Sequence, residues 1–209
     1  MTLYSYIVRR DYGFAPNPFY GYCTLATCKP KIRSTASIGD WIWGTGAVGG
    51  YHMRGKLIFA MKVCEHLTFT QYWNDDRFKA KRPLLNGSLK QLYGDNIYCR
   101  RRNEWHQADS HHSKEDGILN PANLTRDTSV DRVLISTDFV YFGLNAPAIP
   151  TSLRSYGSAA EDVCHSRQGH RKVSPRLAQL ALKWLTALDR WGVQGLPLEF
   201  PKHRPLDQR

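Results

Sequence analysis

The chain is poor in acidic residues and cysteine, and it has no long apolar run. Its 209 residues carry only 18 Asp+Glu against 29 Lys+Arg, a formal charge of +11. A surplus of that size points to a polyanionic partner, without saying whether nucleic acid, nucleotide or membrane surface. The five cysteines, Cys23, Cys28, Cys64, Cys99 and Cys164, form an odd and scattered set. Residues 1–20 also lack the basic-then-apolar order of a secretory signal, so nothing reads as a disulfide framework. Buried, reduced, structural cysteines in a cytoplasmic protein are the expectation. No apolar run approaches the roughly 18 residues that span a bilayer, which excludes a membrane partner of the spanning kind. Internal repeats and low-complexity segments are absent. With 42% hydrophobic and 22% charged residues, the composition excludes wholesale disorder, a collagen-like chain and a coiled coil.

What remains is one domain-sized chain with unevenly placed charge: +3 over residues 1–40, +2 over 41–163 and +6 over 164–209. The pattern predicts a strand over residues 3–9, stopped by the Gly13 to Pro18 segment, and strands at Trp41-Ile42-Trp43 and Lys56–Val63. A short helix is expected from a Thr68 or Thr70 cap to about Phe78. Residues 82–128 show little periodicity over a span too long for an ordinary loop, which suggests ordered loops built around a site. Strands follow at 131–136 and 139–142. The clearest element is a C-terminal amphipathic helix, with Ser174 as cap, Pro175 at its first position and apolar residues from Leu177 to Leu188 at helical spacing. A domain over residues 1–192 with a basic, proline-containing tail over 193–209 is the expected organisation.

Several segments carry candidate chemistry. Gly44-Thr-Gly46-Ala-Val-Gly49 is formally a dinucleotide fingerprint, but it is followed by another strand instead of a helix, so a glycine-rich hairpin loop is the better reading. His106-Gln-Ala-Asp109-Ser-His111-His112 gathers three imidazoles and a carboxylate. Asp109, His111 and His112 suit acid/base chemistry or substrate hydrogen bonding, and a structural polar turn stays open. Their spacing matches no standard zinc finger, and a closed tetrahedral site would need an outside ligand such as Cys99, so no metal is assigned. Tyr12, Phe14, Phe19, Tyr20 and Tyr22 crowd one loop, either as packing or as stacking platforms for a base. Asp95 and Asn96 form an Asx turn or read a base edge, and Arg100, Arg101 and Arg102 beside them are a solvated turn or a phosphate contact.

The strings Leu3–Arg33, Gly39–Gly46, Gln71–Asp75, Leu89–Tyr98, Asp109–His112 and Val133–Tyr141 resemble the nucleotide modification associated domain 2 family of bacteria and phages. That resemblance runs over roughly residues 2–190 and implies a DNA or nucleotide modification setting, with other proteins of such a system as possible partners, but no catalytic residue and no cofactor. The order of strands and the short Tyr-Trp helix is also similar to the small barrels of PUA and EVE type. The fold expectation is therefore α+β: a small mixed or antiparallel β-barrel with a short helix, a long ordered loop region and the C-terminal helix. Such a barrel implies a base pocket between the 12–22 loop and the Trp41 to Thr45 strand end. In it Trp43 and Tyr12 would stack a base, Asp95 and Asn96 read its edges, Arg100 to Arg102 hold phosphate, and Asp109, His111 and His112 move protons. The resulting expectation is a nucleobase- or nucleotide-binding protein that takes part in base modification; the competing one is a non-catalytic reader of modified bases.

Overall fold

The computed structural model describes residues 1–47, 52–155, 162–165 and 169–203. In chain order its strands are β1 (Leu3–Val8), β2 (Cys23–Leu25), β3 (Trp41–Gly46), β4 (Leu57–Lys62), β5 (Glu65–Leu67), β6 (Tyr98–Arg101), β7 (Glu104–Gln107), β8 (Val133–Ser136), β9 (Phe139–Tyr141), β10 (His170–Val173) and β11 (Gly192–Val193). The α-helices are α1 (Pro30–Thr35), α2 (Phe69–Asn74), α3 (Leu89–Leu92), α4 (Pro121–Thr128) and α5 (Pro175–Ala187). They form two compact units, one of Met1–Asp11, Ala36–Val63 and Asp138–Arg209, the other of Tyr12–Thr35 and Cys64–Thr137.

The first unit is built on a six-stranded sheet in the order β10-β1-β3-β4-β9-β11. β1 and β3 are parallel, with Leu3 opposite Trp41, and β4 runs antiparallel to β3. All six residues of β3 are buried, so neither face of this central strand meets solvent. The glycines of the formal fingerprint are explained here. A Cβ on Gly44 would lie 2.1 Å from Phe59 Cε1, and one on Gly46 would lie 2.1 Å from the Met53 carbonyl oxygen. These positions admit close neighbours where a side chain would stand; Gly49 lies outside the described residues.

Helix α5 begins as its sequence dictates, with Ser174 at the N-cap and Pro175 in the first turn, although the Ser174 hydroxyl makes no cap hydrogen bond. It buries Leu177, Ala178, Ala181 and Leu185, while Leu180 is left exposed. The chain after it stays packed on the same unit as far as Phe200. Gly192–Val193 pairs with β9 as β11, Leu198 and Phe200 are buried, and the N–H groups of Leu198 and Glu199 donate to Asp11. The Asp11 carboxylate also accepts the Tyr141 hydroxyl at 2.6 Å. Residues 204–209 of the expected tail lie outside the described residues.

The second unit holds a three-stranded sheet, β2-β8-β5, and a two-stranded hairpin of β6 and β7. Helix α2 starts at the expected Thr68, whose side chain accepts the Gln71 N–H in a capping box. It stops at Asn74, and a 3₁₀ turn over Asp76–Lys81 carries the chain past Phe78. The span read as irregular, 82–128, contains α3, the β6–β7 hairpin and α4. These elements escaped a periodicity reading because they are short and polar: among α4's residues only Asp127 is buried. The hairpin turns on Arg102 and Asn103, both at positive φ (49° and 68°), the conformation a tight two-residue hairpin loop uses.

The whole is mixed α+β with several sheets and few helices. Among the described residues the larger sheet is open, with β10 and β11 as edges, and no closed barrel is found. Closure needs the two edge strands to pair with one another, and here each edge strand has a neighbour on one side alone. Among the described residues no helix is long and apolar enough to cross a membrane.

Candidate functional site

The site centres on Asp127 of the second unit. Asn120 caps α4 through its side chain and Pro121 opens it, which puts Asp127 in the last turn with a fully buried carboxylate. Oδ2 meets His112 Nδ1 at 2.8 Å and accepts the Tyr98 hydroxyl at 3.1 Å. Oδ1 accepts the Cys28 N–H at 3.0 Å and Arg126 Nε at 3.2 Å. Burial by itself would raise the Asp127 pKa, but these donors and the His112 charge outweigh it and hold the carboxyl below its ordinary range. Burial likewise works against the imidazolium of His112. Hydrogen bonds to Asp127 and to the Cys28 side chain overcome that, raising it from the usual 6.5 to about 9.

Cys28 sits in the left-handed region, φ 58°, just before α1. Its carbonyl accepts Arg33 Nε at 2.9 Å, and the same buried guanidinium donates to the carbonyls of Val130 (2.8 Å), Arg132 (2.6 Å) and Asp127 (2.5 Å). Arg33 therefore ties the Cys28 turn to the end of α4, and burial draws its own pKa down to about 10 despite Asp127. The Cys28 turn, the buried Asp127 carboxylate and the His112 ring thus stand in series.

Beside this series lies a cluster of rings. Tyr12 stacks on Tyr93 at 4.9 Å between centroids, and His111 is 4.6 Å from Tyr12 and 5.1 Å from Tyr93. Phe14 links the two histidines, 5.4 Å from His111 and 4.6 Å from His112. His111 is exposed and Tyr12 half-buried, whereas Tyr93, Phe14 and His112 are buried. The turn carrying both histidines is pinned by Ser110 and Ser113, with the Ser110 N–H donating to Ser113 Oγ at 3.0 Å.

Of the residues singled out in the sequence, Tyr12, His111 and His112 come together here. Asp109 is exposed on the same turn, and its carboxyl lies against Gly117, whose added Cβ would be 2.6 Å from Oδ2. Arg100, Arg101 and Arg102 are exposed on the β6–β7 hairpin, which runs directly into the histidine turn; the Arg100 guanidinium lies 4.4 Å over the Trp105 ring.

Asp95 and Asn96 have no accessible surface, so neither meets a ligand arriving from solvent. Asp95 accepts the hydroxyls of Thr24 (2.7 Å) and Tyr72 (2.8 Å), and burial raises it to about 6 against the pull of Lys81. Asn96 donates to the carbonyls of Tyr72 and Phe78. Lys81, also fully buried, donates to Asn17 Oδ1 (2.6 Å), Asn17 O (2.9 Å) and Tyr22 O (2.9 Å), and burial lowers its pKa to about 8. Trp43 belongs to the first unit, is fully buried and packs 5.9 Å from Trp184; a ring without an accessible face cannot stack a base.

Sequence reasoning missed Asp127 and the part played by Cys28. The Asn120-Pro121 pair is a helix-start signal that would have placed Asp127 in a short helix, but nothing local joins it to residue 28 or 112. Among the described residues, no three His, Cys, Asp or Glu side chains are grouped to hold a metal ion. No curated protein and no solved structure matches the chain. The model of the nucleotide modification associated domain 2 family matches residues 1–204. That match takes in both units and every residue of the site, and the chain belongs to the nucleotide modification associated domain 2 family.

Proposed function

We propose that this protein binds a nucleobase or nucleotide, free or flipped from DNA, on the ring cluster of its second unit, and takes part in the modification of that base within a DNA or nucleotide modification system. The observation that carries this reading is the adjacency of an accessible aromatic surface, Tyr12 and His111, to the buried His112–Asp127 pair at 2.8 Å. Tyr12 and Tyr93 are already in contact, so a base adds to the outer face of Tyr12 or His111 and does not slot between them. His112, charged at neutral pH, donates a proton or hydrogen bond to a base oxygen or nitrogen and takes it back as the reaction proceeds. Asp109 at the rim is a second acid/base group, Arg100 to Arg102 meet phosphate, and other proteins of the modification system are its partners.

Titration of full-length protein with mononucleotides and short DNA at low salt, read by calorimetry, tests the binding half. His111→Ala should weaken binding about tenfold, the worth of one stacked base. Protein that binds neither ligand sinks the reading. The competing role, a non-catalytic reader of modified bases of the PUA or EVE kind, is favoured by the ring surface taken alone. His112→Gln separates the two: a reader keeps its affinity and has no turnover to lose, while an enzyme loses about 10²-fold in turnover.

A further inference from the structure

Asp127 is shared by more positive charge than it can neutralise. Its Oδ2 faces the His112 ring, its Oδ1 accepts Arg126 Nε at 3.2 Å, and its backbone carbonyl accepts the buried guanidinium of Arg33. His112 is charged at neutral pH, so three cations meet one buried carboxylate. Asp131, the other carboxylate that acts on Arg33, is exposed and accepts the Phe69 N–H. Counting it still leaves one positive charge unmatched, and charges withdrawn from water call for a counter-ion.

Arg126 is the most accessible of the three cations. Its side chain is 47% exposed, against 11% for His112, and Arg33 has no accessible surface. Its guanidinium is also oriented. Nε donates to Asp127 Oδ1 and Nη2 to Asn123 Oδ1 at 2.8 Å, two bonds along the side edge of the fork. Asn123 is itself fixed by donating from Nδ2 to the His112 carbonyl at 2.9 Å. Of the five guanidinium N–H donors, both on Nη1 and one on Nη2 have no acceptor among the described residues. Those two nitrogens form the end-on edge, whose parallel N–H groups match two oxygens of one phosphate. The hairpin arginines differ. Arg100 lies on Trp105, and Arg101 and Arg102 make no side-chain hydrogen bond or ion pair among the described residues.

We propose that Arg126 is a phosphate site: its end-on fork, held by Asp127 and Asn123, takes two oxygens of the phosphate next to the base bound on Tyr12 and His111. The position of that base rests on the binding role proposed above. His112 touches Phe14 of the ring cluster at 4.6 Å, and its partner Asp127 touches Arg126, so the sugar spans the His112–Asp127 pair. Arg100 to Arg102 are left for flanking phosphates, which they attract by charge, whereas Arg126 selects by geometry. The phosphate chemistry is common to a free nucleotide and a DNA strand.

The test is calorimetry on full-length protein at low salt and pH 7 with deoxynucleosides, their 5′-monophosphates and dinucleoside monophosphates. A phosphate-bearing probe should bind at least about tenfold tighter than its nucleoside. Arg126→Lys keeps the charge but not the fork; it should lose most of that gain while holding nucleoside affinity within about twofold and retaining native circular dichroism. Arg101→Lys should keep the gain. A gain shared by the dinucleoside monophosphate assigns the site to a strand, and one confined to the 5′-monophosphate assigns it to a free nucleotide; both support the fork. Arg126→Lys with the whole gain intact overturns it, and so does a phosphate that adds nothing in native protein, whatever the variant does. Inorganic phosphate supplies an arm that needs no base. Against chloride at equal ionic strength, it should raise the Tm of native protein and not that of Arg126→Lys. Such stabilisation without nucleoside binding keeps the phosphate site and removes the base reading. Nucleoside binding without any phosphate effect removes the site only, and failure of both removes both.

Discussion

His112 contributes most to this molecule in its charged form. Its folded-state pKa of about 9 lies above the free value of 6.5, so the stabilisation from its pairing with Asp127 is complete below about pH 6.5. It is lost as pH rises through about 9. The shift corresponds to roughly 3 kcal/mol. Urea unfolding of native protein and His112→Gln at pH 6, 7, 8 and 10 should show a gap that is widest at low pH and shrinks by most of that amount by pH 10. Comparing the two proteins cancels titrations common to both, including those of Lys81 and Asp95. A gap that does not depend on pH would contradict the charged pair. Lys81 invites a different test. Removing its ammonium takes a charged donor from two Asn17 oxygens that keep other partners and from the Tyr22 carbonyl, and it leaves the buried Asp95 without its neighbouring cation, so Lys81→Ala should cost about 3 kcal/mol or more in urea unfolding. Because Lys81 ties the loop that follows Phe14, the same variant should also blunt nucleotide binding. A loss of stability under about 1 kcal/mol would show that the loop holds without it.

Strand β3 illustrates how an element can carry a motif for reasons unrelated to it. Its Gly44 and Gly46 lie where Phe59 and Met53 crowd the backbone, so Gly44→Ala should destabilise by about 1–3 kcal/mol through overpacking. Nucleotide binding should be unchanged under conditions where the variant is folded. A parallel loss of binding at full stability would return the glycines to a phosphate role. The strand at residues 3–9, the strands around Trp41 and residue 60, the Thr68 cap and helix α5 were legible in the sequence, since each has an apolar period or a capping signal. Helix α4 and the β6–β7 hairpin were not, because both are short and polar and leave no stripe to read. The site divided in the same way. His111, His112 and Tyr12 stood out by residue type and crowding, whereas Asp127 and Cys28 are joined to them only by the fold, across 15 and 84 positions from His112. Asp95 and Asn96 looked like edge readers because they precede an arginine run, yet the packing of Tyr72, Thr24 and Phe78 turns both inward.

For the molecule as a whole, the +11 charge is shared between the units. The second carries 14 Lys+Arg and 10 Asp+Glu, a net +4, and the remaining +7 belongs to the first. A site-directed polyanion and a merely adhesive one therefore make different demands. If phosphate is met beside the histidine turn, the exposed hairpin arginines dominate binding although they are a minority of the charge. If the protein only adheres, cations on α5 such as Arg176 and Lys183, both exposed, matter equally. The slope of log K against log salt for a single-stranded oligonucleotide distinguishes these, since each phosphate neutralised contributes about 0.7. Arg101→Gln with Arg102→Gln should flatten the slope by about 1.4 and weaken binding several-fold at low salt. Arg176→Gln with Lys183→Gln, the same change in charge, should leave the slope within about 0.3 of native. Equal flattening by both pairs would assign the surplus to non-specific adhesion, and the ring cluster would then have to be tested with free nucleosides, which carry no phosphate.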